Sequence, residues 1–270
     1  MANITVSTDI DAFLQGADNA AARDSLGAIN YPYTTDFQSA VVQTRNLSLT
    51  GVNTFPDTAA LSSVYIGSNV TQIGIYTFSG CTGLQSVTIP DSVTSIGIGA
   101  FNSCTSLTSI IIPDSVTSIG DAAFYNCFSL ASINLPDGIT SIAEGTFSFC
   151  VDLTSINIPD SVTSIGQEAF RGCGRLTSVT SFGGTETIDR FAFNNCQDLT
   201  SISLPDSLTS LADYAFQNCV TLATINCLAT TAPTLGTDVF LGVSATTIQV
   251  PFGATGYGTT YGGLTVSYVL

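Results

Sequence analysis

The feature that most constrains this chain is a fixed internal period. Leucine recurs at Leu61, Leu84, Leu107, Leu130, Leu153, Leu176, Leu199 and Leu222, phenylalanine at Phe55, Phe78, Phe101, Phe124, Phe147, Phe170, Phe193 and Phe216, and cysteine at Cys81, Cys104, Cys127, Cys150, Cys173, Cys196 and Cys219, each step being 23 residues. A unit of that length is too small to bury its own apolar face, so successive units must stack and share one continuous core. The segment 107–129, LTSIIIPDSVTSIGDAAFYNCFS, represents one turn of the resulting coil. Its L-x-x-I-x-I stretch reads as a strand with Leu and both Ile inward, and stacked turns then form a parallel sheet with strands about 4.8 Å apart. A Pro-Asp turn follows, then a V-T-S-I segment as the opposite wall, then a Gly and an Ala-Phe turn that fills the core.

This alternation leaves two outward columns on the first strand. One is nearly all hydroxyl: Ser63, Ser86, Ser109, Ser132, Ser155, Ser178, Ser201 and Thr224. The other is Tyr65, Thr88, Ile111, Asn134, Asn157, Thr180, Ser203 and Asn226. Small β-compatible residues tile any tightly stacked sheet, and the same residues offer a polar recognition face; they are the candidate binding face.

The cysteine column admits three readings. Side chains stacked in parallel point the same way and not at one another, which disfavours disulfides. A zinc site needs converging ligands, and the chain has no His. The favoured reading is a structural ladder of buried free thiols, small apolar groups donating weakly to backbone carbonyls. Cys227 lies off the ladder, at an inward strand position. Asp91, Asp114, Asp137, Asp160 and Asp206 also stack, with Gly183 in place of a sixth. Paired carboxylates serve glycosidases or calcium, but those sites are asymmetric, whereas these sit in equivalent turns. With no His, Lys or Trp, the usual general bases, Schiff-base amines and sugar-stacking indoles are missing. The expectation is a non-enzyme without cofactor or metal. Among the charges that break the pattern, Arg175 shares a column with Asp152 and Asp198, Arg190 with Glu144 and Asp213, and Arg171 follows Glu168.

The motif L-T-S-I-x-I-P-D-S-V-T-S-I-G-x-x-A-F-x-x-C resembles the BspA-like, or Treponema-type, leucine-rich repeats. The resemblance implies a β-rich leucine-rich-repeat solenoid over 55–250, with its parallel sheet on the concave face, and an adhesive or partner-binding surface. Outside the repeats, Ser7 or Thr8 caps a helix carrying Ile10, Phe13, Leu14 and Ala17, and a second short helix runs from Asp18 to Gly27. The string FLQGADNAAARDSLGA, Phe13 to Ala28, resembles a short motif of bacteriophage tail-fibre and other virion proteins. Residues 1–30 are therefore expected to be a helical attachment segment contacting other virion proteins. Residues 31–54 are expected to be an N-terminal cap, with Val41 and Gln43 in register with Val64 and Ile66, and 251–270 a C-terminal cap with Leu264, Val266 and Tyr268 alternating.

Composition narrows the partners. Twenty carboxylates against five Arg and no Lys give a net charge of −15, which repels nucleic acid and anionic membranes. No apolar run reaches membrane-spanning length, and the first residues, MANITVSTDIDAF, carry no signal-peptide pattern. The expected function is a bacteriophage virion appendage presenting its repeats to a host cell-surface protein or glycan, as monomer or homo-oligomer. The alternatives are a cell-surface adhesin of a bacterium or protist and a structural virion decoration protein.

Overall fold

The computed structural model describes residues 59, 61–68, 70–180 and 182–270, together with the backbone of Ser39–Val42. The attachment segment 1–30, most of the cap 31–54 and Phe55 lie outside the described residues. The described chain is a β-solenoid in which two ladders of parallel strands alternate along the sequence. After β1 (Ser39–Val42), even-numbered strands build the first ladder: β2 (Ser63–Ile66), β4 (Ser86–Thr88), β6 (Ser109–Ile111), β8 (Ser132–Asn134), β10 (Ser155–Asn157), β12 (Ser178–Thr180), β14 (Ser201–Leu204), β16 (Thr224–Cys227) and β18 (Thr247–Pro251). Odd-numbered strands build the second: β3 (Gln72–Ile73), β5 (Ser95–Ile96), β7 (Ser118–Ile119), β9 (Ser141–Ile142), β11 (Ser164–Ile165), β13 (Thr187–Ile188), β15 (Ser210–Leu211) and β17 (Thr234–Leu235). Pairing is parallel and in register by one repeat, Ser109 opposite Ser132 and Ser164 opposite Thr187. Among the described residues no helix is long and apolar enough to cross a membrane.

The turn that carries the Phe and Cys makes a third wall of another kind. In it the N–H groups of alternate residues point to the following rung: Gly99 N donates to Asp121 O (2.9 Å), Phe101 N to Ala123 O (2.8 Å) and Ser103 N to Tyr125 O (2.7 Å). The peptides in between close short turns within the rung, such as Asn102 N to Gly99 O at 3.0 Å. This alternation needs left-handed residues at two points per turn. They are Gly99 (φ 58) and Ser103 (φ 60) in one rung, and Ala122 (φ 51) and Asn126 (φ 59) in the next. Glycine takes that conformation freely, Asn often, and other L-residues at a cost of about 1–2 kcal/mol.

The core is stacked residue on identical residue. Leu107, Ile110, Ile112, Val116, Ile119 and Phe124 are all buried, and their counterparts repeat along the rod. From Phe78 to Phe240 the rings form one column with centroids 5.1 to 5.8 Å apart and planes within 19°, the offset stacking aromatic quadrupoles favour. Gly183 and Gly184 replace the usual turn, and a Cβ on Gly184 would come within 1.8 Å of the Asp160 carbonyl oxygen.

Two registers depart from the sequence reading. Strand β1 pairs one residue out of step, Ser39 opposite Ser63 and Val42 opposite Ile66, so apolar Val42 replaces polar Gln43 opposite a buried strand position. At the other end, Ser210 pairs with Thr234, 24 residues on, while Ile225 pairs with Ile248, 23 on. The extra residue is absorbed between β16 and β17 and given back before β18, so Phe240 stays in the ring column although its sequence position has slipped. Beyond Pro251 the first ladder continues into β20 (Leu264–Val269), flanked by antiparallel β19 (Thr260–Tyr261). Leu264 is buried there and Val266 half-buried, but Tyr268, expected on the same side, is exposed.

Phe124→Ala in a middle rung is expected to cost about 3–5 kcal/mol, because only the two flanking rings can relax into the cavity. Ser132→Ala on an outward column should cost almost nothing. Urea denaturation of both variants checks this, and equal losses would contradict the assignment of faces.

Candidate functional site

The outward columns of the first ladder do form one surface. Ser86, Ser109, Ser132, Ser155, Ser201 and Thr224 are exposed in one column, with Ser63 and Ser178 half-buried. In the other, Thr88, Asn134, Asn157, Thr180 and Ser203 are exposed and Asn226 is half-buried. Two apolar side chains stand out of this polar field, Tyr65 at 52% and Ile111 at 77% exposure. The face is partly knitted together, since Thr180 Oγ1 donates to Asn157 Oδ1 (3.1 Å) and Asn226 Nδ2 to Ser203 Oγ (3.3 Å). Beside it runs a further hydroxyl column that sequence reasoning passed over, Thr108, Thr154, Thr177 and Thr200, all exposed. Thr177 Oγ1 there donates to Thr154 O at 2.9 Å. The surface is extended and free of charge, suited to hydrogen bonding along a ligand and not to enclosing one.

The cysteine column is interior. All eight cysteines are free and buried. From Cys104 to Cys219 each ladder Sγ donates to the carbonyl of the Phe in the preceding rung, at 3.1 to 3.3 Å. That carbonyl also accepts the backbone N–H of its own rung's Cys, as Phe101 O does from Cys104 N at 3.1 Å. Burial pushes the thiols of Cys81, Cys127 and Cys173 up from 9.0 to about 12 and raises Cys104, Cys150 and Cys196 as well. A thiol held neutral this way is a poor nucleophile and a poor metal ligand. Cys227 is not featureless core: its Sγ lies 3.2 Å from the Tyr257 hydroxyl, which in turn donates to Ala229 O at 2.7 Å.

Asp91, Asp114, Asp137, Asp160 and Asp206 are exposed in equivalent turns, and Asp160 Oδ1 accepts the Gly183 N–H at 3.0 Å. Among the described residues no group of three or more His, Cys, Asp or Glu converges as a metal site.

The arginines behave differently from one another. Arg175 pairs with its column neighbour Asp152 at 2.9 Å, and Arg171 with Glu168 at 3.1 Å. Arg190 does not pair with Glu144 or Asp213. Its guanidinium lies 4.8 Å from the centroid of Phe191 and 5.7 Å from that of Tyr214. The Arg171 guanidinium sits against the other neighbours, 5.6 Å from Phe191 and 5.8 Å from Phe149. Column arithmetic missed this cluster because ring position there depends on the left-handed backbone at Phe149, Phe191 and Tyr214 (φ 60, 57 and 60). The available signal was Phe149 in a turn column otherwise filled by Gly, Ser and Asn, and Phe191 followed by Tyr214 in a column that also holds Gly99, Ala122 and Gly145.

A stacked solenoid with an extended polar face and a sealed core defines a repeat protein of the partner-binding class. The family model for the BspA type leucine rich repeat region matches residues 48–177 and 140–260, and the chain belongs to that family. Repeat proteins of this family are typically non-enzymatic and bind or adhere to partners. A crystal structure of a T. pallidum leucine-rich repeat protein is similar, with 28% identity over 80% of this chain and 87% of that one and a TM-score of 0.53. A leucine rich cell surface protein from Faecalibacterium prausnitzii is 28% identical over 77% of this chain and 79% of that one, with a TM-score of 0.41. A search of the curated proteins gave no match.

The buried thiols make stability depend on pH with a definite sign. Their pKa is higher folded than unfolded, so their contribution is complete below the ordinary thiol range and is lost as pH climbs from 9.0 toward about 12. Cys127 and Cys173 should each subtract about 1.4 kcal/mol per pH unit within that window. Urea midpoints should hold steady up to neutral pH, fall steeply above 9.0, and fall less steeply in Cys127→Ala. A thiol reagent should find little to react with until the chain unfolds.

Proposed function

We propose that this chain is a non-enzymatic adhesion protein of the cell-surface kind, in which the outward face of the first ladder contacts a host cell-surface protein or glycan. The observation that carries the reading is the exposed face itself: hydroxyl and amide columns spanning the rungs, with Tyr65 and Ile111 projecting as apolar anchors. Specific interfaces combine a few such anchors with a polar surround, and repeat scaffolds present them over a long, quasi-one-dimensional surface. A net charge of −15 favours neutral or cationic partners and opposes nucleic acid and anionic lipid.

A second reading, the bacteriophage virion appendage, is favoured by one feature, the Phe13–Ala28 string and its likeness to virion proteins. In that reading residues 1–30 fasten the chain to a particle and the same repeat face meets the host.

Fluorescently labelled chain should bind a panel of host cells saturably. Ile111→Glu should weaken that binding about tenfold or more with no change in thermal unfolding, because the side chain is 77% exposed. Absence of binding across the panel, or full binding by the variant, would sink the adhesive face. Removing residues 1–30 should leave cell binding intact, and under the virion reading it should abolish incorporation into particles. A truncated chain that still assembles on particles rules out the attachment role.

A further inference from the structure

The turn wall carries a second site, distinct from the sheet face. We propose that the cluster of Arg171 and Arg190 with Phe149, Phe191 and Tyr214 is a receptor for the carboxylate of an acidic sugar.

Three observations converge there. The first is charge. Arg171, Arg175 and Arg190 are the only cationic side chains among the described residues. Arg175 is taken by Asp152 and Arg171 shares Glu168, whereas exposed Arg190 has no carboxylate within ion-pair distance among those residues. Its acidic neighbours are engaged elsewhere: Asp189 Oδ1 accepts Arg190's own backbone N–H and Asp213 Oδ1 accepts that of Thr237, both at 2.6 Å.

The second is geometry. Both guanidinium groups lean on the one Phe191 ring, 5.6 and 4.8 Å from its centroid. A guanidinium held by its face against a ring has its N–H donors around its edge, the arrangement that matches a carboxylate in two parallel hydrogen bonds. Phe191 in turn stacks on Tyr214 at 4.9 Å. The Phe149 ring lies over Gly172, where a Cβ would come within 2.7 Å of it. The Nε of Arg171 is buried and has no hydrogen-bond partner among the described residues.

The third is strain. Phe191 and Tyr214 occupy the left-handed position that Gly99, Ala122 and Gly145 hold in three earlier rungs, with Tyr76 and Glu168 in the other two. The turn forms without an aromatic there, so the rings are not needed to build it. Bulky residues in left-handed backbone are the outliers from which function is legitimately inferred.

The charge of the rod selects the ligand. A polyanionic peptide brings many charges to a chain of net −15 and is repelled along its length. A carboxylated sugar brings one anion on a neutral, hydroxyl-bearing body, and the neighbouring turns add uncharged amides at Gln167, whose Nε2 donates to Glu144 Oε1, and Asn195, whose Nδ2 donates to Asn194 Oδ1, leaving their amide oxygens to accept from that body.

The test uses the full chain with 3′-sialyllactose and lactose, which differ by the acidic sugar, followed by saturation-transfer NMR and titration. Sialyllactose should bind and lactose should not. Arg190→Gln should weaken binding about tenfold or more, and Arg190→Lys should not restore it, since lysine keeps the charge but loses the planar fork. Both variants should still unfold in one cooperative transition, lowered in Arg190→Gln by no more than the lost ring contacts are worth, and Ile111→Glu on the sheet face should leave sugar binding unchanged. Equal binding of the two sugars, undiminished binding by Arg190→Gln, or a glutamate decapeptide that binds through Arg190 more tightly than the sugar would each overturn the proposal. A chain that adheres to host cells through its sheet face yet ignores the acidic sugar overturns this inference alone.

Discussion

The spacing between rungs governs this molecule. Three walls of inter-rung backbone hydrogen bonds hold each turn at one strand spacing from the next, about 4.8 Å, and every side chain inherits that distance to its counterpart. Because the spacing is common to all columns, a residue suits its position only if it packs against a copy of itself. Phenylalanine does so by offset stacking, at 5.1 to 5.8 Å between centroids. Cysteine does so by a different route. Its Sγ cannot pair with the next Sγ across parallel side chains, but it reaches back to the Phe carbonyl of the previous rung, which has a second lone pair to give. A larger polar group would need more partners than that pocket supplies, and a purely apolar one would leave the lone pair unused.

The same constraint explains what could be read from the sequence. Because column-mates must be alike, the Leu, Phe and Cys columns announce the solenoid and its faces, and the exposed hydroxyl columns follow from strand alternation alone. Features that depend on something other than column identity were hidden. The register of β1 turns on a single residue, since a strand's period of two makes neighbouring registers differ only in which face is inward. The Arg190 environment turns on the sign of φ at Phe191 and Tyr214, which is signalled only indirectly, by Gly99 and Gly145 in the same column. The Cys227–Tyr257 contact joins positions 30 apart, outside the repeat altogether.

That contact belongs to the C-terminal place where the spacing is interrupted. Between β16 and β17 an added residue carries the chain out of the 23-residue register, and β17 ends the second ladder, so no following strand stacks on it. The C-terminal residues make up the deficit with hydroxyls. Tyr257 donates to Ala229 O and Tyr261 to Pro233 O, each at 2.7 Å, and the two rings meet edge to face at 4.9 Å. The desolvation penalty of a buried unpaired carbonyl, about 1–3 kcal/mol, is thereby avoided twice. Burial raises the pKa of both phenols, which favours the protonated, donating form.

A scaffold satisfied by its backbone and its inward columns leaves the outward positions nearly free of folding duty. Substitutions there change what the rod meets and not whether it forms, which is why a face of Ser, Thr and Asn can carry Tyr65 and Ile111 at 52% and 77% exposure without a packing reason. The turn wall obeys a stricter rule. Its left-handed positions tax any residue larger than glycine or asparagine, so aromatic side chains at Phe149, Phe191 and Tyr214 must be offset by contacts they make themselves. Ring stacking and two guanidiniums supply part of that, each cation and ring contact being worth about 0.5–1 kcal/mol at an exposed site. An aromatic takes that cost at Tyr76 in the first rung and again at Phe149, Phe191 and Tyr214, and it is the last three rings that the two guanidiniums meet.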